Sequence, residues 1–310
     1  MRIVSLLPSA TEIVFALGLG DELVGRTHEC DYPAEAAAVP VMTSDAGPAS
    51  GISREIHDRV AHSVHGGSSI YRLDRDALAD ARPDLILTQE LCEVCAVGYR
   101  EVGRAVRALK SEATIVSLEP RSIEGILNTI STVGAMAEAE DEAVGLVEML
   151  RERLADIENR VLERRLAGAE PRRVVCLEWL DPPFAAGHWV PEQVRRAGGW
   201  ELLGRAGEPS AQTTWQQVRE VDPELLLLMP CGFDAAQAAE EWALAGKPSW
   251  LRELRAVENG ETYALDGSAY FSRPGPRAIE GVAVLAEILD PAGVDLGAPI
   301  GACLPLGVGA

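Results

Sequence analysis

The chain has 310 residues, 47% of them hydrophobic and 25% charged, with a mean hydropathy of +0.03, which describes a water-soluble globular protein with material for two cores. Its 48 acidic and 28 basic side chains leave a formal charge of −20, a surface that repels phosphate backbones and anionic lipid, so nucleic acid and polybasic membrane anchoring are excluded. No run approaches the ~18 consecutive apolar residues of a membrane span.

Met1-Arg2 leads straight into the short apolar run Ile3 to Leu7, closed by Pro8, without the basic region, longer apolar stretch and cleavage site of a secretory signal. The expectation is a cytoplasmic protein, with Cys30, Cys92, Cys95, Cys176, Cys231 and Cys303 reduced and serving as core thiols, metal ligands or redox groups. Strands are expected at Arg2 to Leu7, Leu23 to Thr27, Asp84 to Thr88 and Thr114 to Leu118, with helices at Thr11 to Leu17 and Glu101 to Leu109 between them. That alternation is βαβ construction around a parallel sheet. Ser9-Ala10-Thr11-Glu12 reads as a capping box, and Gly18-Leu19-Gly20 closes the helix it opens. On a helix, Ile56, Val60 and Val64 would form a buried stripe with His57, His62 and His65 as its solvated flank.

Ser122 to Leu166 is rich in Ala, Glu, Leu and Arg and lacks proline, which predicts two helices joining near Gly134. Met149, Leu150, Leu154, Ile157, Val161 and Leu162 recur at helical spacing. One helix over Glu140 to Leu166 would be about 40 Å long, enough to span the backs of two lobes. After Gly168 and Pro171 the strands resume at Arg173 to Glu178, Leu225 to Met229 and Thr262 to Leu265. Two echoes point to a loose repeat: Arg2-Ile3-Val4-Ser5-Leu6 with Arg173-Val174-Val175-Cys176-Leu177, and Arg82-Pro83-Asp84-Leu85-Ile86-Leu87 with Asp222-Pro223-Glu224-Leu225-Leu226-Leu227. The organisation expected is an α/β lobe over 1–137, an interlobe helix over 138–168, and a second α/β lobe over 169–310 whose tail after Pro291 is irregular.

Ligands of open parallel sheets bind outside the carboxyl ends of the strands. There the sequence puts Pro8 and Ser9 at a helix start; His28, Glu29, Cys30 and Tyr32; Gln89, Glu90, Cys92 and Cys95; Glu178 and Trp179; His188 and Trp189; Cys231 and Phe233; and Tyr270 and Phe271. Aromatic residues are only 5% of the chain, so their concentration in these loops suits a large, partly flat ligand. Cys30, Cys92, Cys95 and Cys231 could hold zinc or iron, with His28 or His188 replacing one of them; the other reading is helix-start packing for the CxxC and small buried loop thiols for the rest. His28 and His188 read equally as metal-contacting or as hydrogen-bonded loop histidines. Trp179 and Trp189 could stack on a ligand or close a core. Cys176 belongs in a strand core, and Trp200, Trp215, Trp242 and Trp250 read as structural.

The segment Arg2 to Glu12, the turn Asp31-Tyr32-Pro33 and the run Arg82 to Ile86 resemble the corrinoid and iron-complex substrate-binding proteins of ABC importers. That is the class with a helical backbone between two lobes, and the likeness runs over about residues 1–290. His28-Glu29-Cys30-Asp31-Tyr32-Pro33, Leu91-Cys92-Glu93-Val94-Cys95 and Gly187-His188-Trp189-Val190-Pro191 are similar to a branch without an export signal that is labelled cobalamin-binding. The resemblance implies the two-lobed fold and a cobalamin-like or other metal-containing ligand, with an imidazole as one possible cobalt contact. The function expected is non-enzymatic capture of that small molecule. The alternative is a metal-dependent enzyme with a thiolate-bound zinc or iron and a carboxylate such as Glu29 or Glu178 moving protons. No Walker loop, GxSxG or HExxH motif is present.

Overall fold

A computed structural model describes residues 1–45, 53–58, 71–89, 99–108, 112–290 and 292–307. The chain falls into two compact units. The first comprises Met1–Ser50, Asp58–Pro120 and Glu124–Met149; the second comprises Gly51–His57, Arg121–Ile123 and Leu150–Ala310.

In the first unit, β1 (Ile3–Ser5), β2 (Leu23–Arg26), β3 (Thr43–Asp45), β4 (Tyr71–Leu73), β5 (Leu85–Thr88) and β6 (Thr114–Ser117) follow in chain order. β2-β1-β5-β6 form one sheet with every neighbouring pair parallel, while β3 and β4 pair antiparallel by themselves. Val4, Leu6 and Ile86 are fully buried and pack with Val102 and Ala105 of the helix Tyr99–Ala108. The helix after β1 runs Pro8–Ala16, with Leu7 as its N-cap and no side-chain cap bond. The capping box at Ser9 is therefore corrected. Pro8, whose fixed φ and missing N–H suit the first helical turn, starts the helix early, so Ser9 falls inside it and is buried. Gly18 ends it at φ +75°, a conformation glycine takes without a Cβ clash.

Ile123–Met136 and Glu140–Leu166 are the two expected helices. A Cβ on Gly134 would lie 2.4 Å from Ala143 Cβ, so the close approach at their join needs glycine. The buried stripe of the long helix is Ala143, Val147, Leu150, Leu154, Ile157 and Val161, an alternation of four- and three-residue steps. Met149 and Leu162, expected on it, are more than half exposed; each sits one residue, about 100°, off the stripe.

In the second unit, β7 (Arg172–Leu180), β8 (Pro183–Ala185), β9 (Gly199–Glu201), β10 (Ala211–Gln212), β11 (Leu225–Leu228), β12 (Thr262–Leu265) and β13 (Cys303–Leu306) build one sheet, in the order β10-β8-β7-β11-β12-β13 with β9 also on β7. β11 is parallel to β7 and to β12, and its four leucines are fully buried, as a strand covered on both faces requires. The tail is not wholly irregular as expected: Cys303–Leu306 adds an antiparallel edge strand to β12, supplying partners for that strand's outer backbone groups.

The repeat suspected in the sequence extends to individual hydrogen bonds. Arg75–Ala81 and Trp215–Val221 are helices of 7 residues each, capped by the side chains of Asp74 and Thr214, and each ends on a left-handed residue, Arg82 or Asp222. A proline follows, then an acidic residue whose backbone N–H donates to the strand paired beside it: Asp84 to Arg2 O and Glu224 to Arg173 O, both at 2.8 Å. The same two carboxylates accept the backbone N–H of Arg2 and of Arg173, again both at 2.8 Å. Among the described residues no helix is long and apolar enough to cross a membrane. Replacing Asp84 or Glu224 with alanine removes equivalent bonds, and each should lower unfolding free energy by about 1 kcal/mol, read as a lower urea midpoint with an unchanged slope.

Candidate functional site

At the carboxyl ends of β1 and β2 the first unit buries a network of hydroxyls. Thr11 Oγ1 donates to Ser5 Oγ at 2.8 Å, and Ser5 Oγ to Leu7 O at 2.9 Å. Cys30 Sγ lies 2.9 Å from Thr11 Oγ1. Because the Thr11 proton is directed to Ser5, Cys30 joins this chain as an S–H donor. The loop after β2 is tied to β3: His28 N–H and Nδ1 reach Thr43 Oγ1 at 3.1 and 2.7 Å, and Thr43 donates to Thr27 Oγ1 at 2.9 Å. With the Thr43 proton committed, His28 Nδ1 is the donor, an assignment made from the network. Nε2 stands 3.4 Å from Glu29 Oε1, and the imidazole lies 5.3 Å from the Tyr71 ring. Ser9 and Gln89 are buried near these strand ends in the chain, Pro8 is half-buried, and Tyr32 is 47% exposed.

The second unit joins its predicted residues through the backbone. Glu178 O accepts the Cys231 N–H at 3.1 Å, and Phe233 O accepts the Ser268 N–H at 3.1 Å. Trp179 meets Phe233 edge to face at 6.0 Å, and Tyr270 meets Phe271 at 6.5 Å. Gln193 Nε2 donates to Tyr270 O at 3.1 Å and to Ala278 O at 2.8 Å, fastening that turn to the helix Val190–Arg196. An added Cβ on Gly267 would lie 2.4 Å from Pro230 O, so the turn after β12 can approach β11 only as glycine. Trp179, Phe233 and Tyr270 thus belong to one connected edge of the sheet.

His188 and Trp189 follow β8, whose antiparallel pairing carries the chain back along β7 as far as Cys176. Burial pushes the Glu178 pKa up to about 7, against the opposing influence of the Ser210 hydroxyl and the Gly187 N–H nearby, and the Gly187 N–H donates to Ser210 Oγ at 3.2 Å. His188 is left-handed at φ +53°, uncommon for a residue with a Cβ. Its N–H donates to Glu208 O at 2.6 Å, and its ring stands 5.8 Å from that of Trp189. Burial, with the nearby Arg121 charge, lowers the His188 pKa, favouring neutral imidazole. Three polar atoms here, His188 Nδ1, Trp179 Nε1 and Trp189 Nε1, are buried without a hydrogen-bond partner.

The structure thus connects Glu178, Trp179, Cys231, Phe233 and Tyr270 in the second unit, with His188 and Trp189 beside each other in the same unit, and His28, Glu29 and Cys30 in one loop of the first; among the described residues it shows no contact of Ser9 with that loop. Cys92 and Cys95 lie outside the described residues, as do Glu90, His62 and His65. Among the described residues no three His, Cys, Asp or Glu side chains cluster as a metal site. Cys176 is a core thiol, as expected, with its pKa raised by burial. Trp242 is buried with Trp215 and Trp250 packed against the same core, whereas Trp200 is 60% exposed. His57 is half-buried, 6.0 Å from the Phe184 ring, and not on a solvated flank. Sequence reasoning missed Thr27, Thr43, Ser210 and Arg121. Each lies in a loop, a turn or a short strand, and no local motif marks it.

The raised Glu178 pKa has a defined sign. The folded state holds this proton more tightly than the unfolded state, so its contribution is complete below pH 4.5 and is lost as pH rises through about 7. At 1.36 kcal/mol per pKa unit the loss is at most about 3 kcal/mol. Glu178→Gln should therefore flatten stability between pH 5 and pH 8, measured by urea unfolding at both values; an unchanged pH dependence would contradict the assignment.

The sequence profile described as periplasmic binding protein matches residues 3–269. A Bacillus subtilis protein named as an uncharacterized ABC transporter substrate-binding lipoprotein is 25% identical over 292 residues, covering 94% of this chain and 80% of that protein. A vitamin B12-binding protein of Vibrio cholerae is 24% identical over 290 residues, covering 91% and 86%. The crystal structure of the periplasmic vitamin B12-binding protein of Vibrio cholerae shares the fold with a TM-score of 0.67 at 23% identity, over 93% of this chain and 96% of that one. A periplasmic heme-binding protein from Pseudomonas aeruginosa does so at 0.75 and 18% identity, over 99% of each chain. The α/β architecture of parallel sheets flanked by helices is the one these structures share, and with the profile matched over most of its length the chain belongs to the periplasmic binding protein family.

Proposed function

We propose that this chain captures a corrinoid of the cobalamin type, or a metal-containing tetrapyrrole of similar shape, without a covalent step. The observation that carries this reading is the set of unpartnered buried atoms on flat side chains of the second unit: His188 Nδ1, Trp179 Nε1 and Trp189 Nε1. An unmade buried hydrogen bond costs about 1–3 kcal/mol, and partners that arrive with a ligand would account for that cost here. The carboxamide oxygens at a corrinoid edge are acceptors for indole N–H groups. Trp179, Phe233 and Tyr270 offer ring faces, and neutral His188 is the form of imidazole that donates to cobalt. In the first unit, Pro8, Ser9, His28, Glu29, Tyr32 and Gln89 are proposed as ligand contacts of that unit. The name of the Bacillus subtilis relative supports delivery to an ABC transporter as part of the same proposal.

Heme is the second reading, supported by the heme-binding title of a solved structure with the same fold. Titrating the purified protein with hydroxocobalamin and with hemin, following tryptophan emission, separates the two. The first reading expects saturable quenching by hydroxocobalamin at lower concentration, with Trp179→Ala weakening binding about tenfold, the 1.4 kcal/mol scale of an aromatic contact. Tighter binding of hemin would select the second, and no saturable quenching by either would overturn both. Elemental analysis addresses the thiolate alternative: stoichiometric zinc or iron lost in Cys92→Ser would favour it.

A further inference from the structure

We infer that residues 53–58 form a strap that belongs to the binding site of the second unit. Docked on Asp181 and Glu241, it presents the His57 imidazole as a further ligand contact beside Phe184 and Trp179. In sequence these residues stand between β3 and β4 of the first unit, yet Gly51–His57 is part of the second. Two carboxylates hold the strap. Arg54 grips Asp181 with a double bond of the fork, Nε to Oδ2 at 3.0 Å and Nη2 to Oδ1 at 2.6 Å, the geometry in which guanidinium and carboxylate pair most strongly. Glu241, in the helix Ala235–Leu244, accepts the Ser53 N–H at 3.0 Å and the Ser53 hydroxyl through the same oxygen. Asp181 and Glu241 are both buried, and among the described residues no other group hydrogen-bonds to either side chain. A buried carboxylate stripped of its partners is costly, so the second unit is complete only with the strap in place.

That grip sets where His57 lies. Asp181 stands in the short turn between β7 and β8, and Trp179 and Phe184 are paired directly across the same hairpin, which puts their side chains on one face of the sheet. The His57 ring is 6.0 Å from that of Phe184, and the Trp179 ring is 6.0 Å from that of Phe233. His57, Phe184, Trp179 and Phe233 thus follow one another as a row of rings, with the strap at one end and the chain after β11 at the other. His57 is half-buried, and among the described residues no group hydrogen-bonds to its ring nitrogens. An indole offers only a donor, whereas an imidazole offers a donor and an acceptor. The strap therefore adds to the row a group able to take an amide or a carboxylate on the rim of a flat ligand, while Trp179 Nε1, buried without a partner, takes an acceptor.

His57 as a contact rests on the binding reading above; the docking of the strap does not. The test compares full-length wild type with His57→Ala, with the pair Arg54→Ala/Asp181→Asn, and with all three substitutions together. Two quantities are measured: ligand-free hydrogen–deuterium exchange of the amides of residues 53–58, and hydroxocobalamin affinity. The paired variant removes the ion pair without leaving a buried charge. A docked strap predicts that its amides then exchange at least about tenfold faster and that binding weakens about five- to tenfold. His57→Ala should weaken binding by the same amount while strap exchange stays within about twofold of wild type. The triple variant should bind no more weakly than either, because both changes act through one imidazole. Unaltered exchange in the paired variant would overturn the docking. Wild-type affinity in His57→Ala would overturn the contact and leave the strap a structural clasp, a result that holds whatever the paired variant does to stability. Should the wild type not bind hydroxocobalamin, the ligand reading fails and the contact with it, and the exchange measurement alone decides for or against the docking.

Discussion

Parallel pairing of β11 with both β7 and β12 is the constraint on which the candidate site depends. Strands that run the same way finish at the same edge, so the residues that follow them must share that edge. β7 delivers Glu178 and Trp179 there, the chain after β11 delivers Cys231 and Phe233, and the chain after β12 delivers Tyr270. Leu225 to Leu228, buried completely between the two neighbours, hold this arrangement by hydrophobic contact on both faces. The first unit obeys the same rule with β1, β2 and β5, which carry Ser9, His28 and Gln89 onward from their ends. Matching backbone bonds at Asp84 and Glu224 mean that the strand pairing is secured in the same way in each unit.

Several buried polar groups elsewhere are fully provided for. The Glu201 carboxylate, deep in the second unit, accepts the N–H groups of Cys176, Leu203 and Gly204 at 2.9 Å each. Thr11, Ser5 and Cys30 satisfy one another inside the first unit. The unpartnered indoles of Trp179 and Trp189 and the imidazole of His188 are a cost in the second unit, as are Glu22 Oε2, Arg26 Nε, Gln193 Oε1 and Thr262 Oγ1 at other places in the chain. The left-handed backbone of His188 adds strain of about 1–3 kcal/mol. A binding protein gains from such costs: a ligand that supplies the missing partners recovers energy that folding left uncollected, and a poorly matched molecule does not.

Much of the fold was legible because each strand carries its own signal. The apolar runs before Pro8, after Pro83 and after Pro223 became β1, β5 and β11, and the shared Pro-acid-Leu pattern marked a true structural repeat. The long helix was legible from end to end because nothing between Glu140 and Leu166 breaks it. What was not legible depended on contacts distant in the chain. Ser9 looked like a cap until Pro8 took the start of the helix. Met149 and Leu162 are apolar and helical yet turn outward, because composition does not distinguish the stripe from its neighbours. Cys303–Leu306 becomes a strand only because β12 offers it an open edge. Ser210, which accepts the Gly187 N–H across 23 residues of chain, carries no mark in the sequence.

The most direct measurement is the set of indole N–H resonances of the six tryptophans, assigned by substitution and followed as hydroxocobalamin is added. If the edge defined by β7, β11 and β12 receives the ligand, the signals of Trp179 and Trp189 move with saturation while those of Trp200, Trp215, Trp242 and Trp250 stay in place. Movement confined to the latter four, with Trp179 and Trp189 unaffected, would contradict the account.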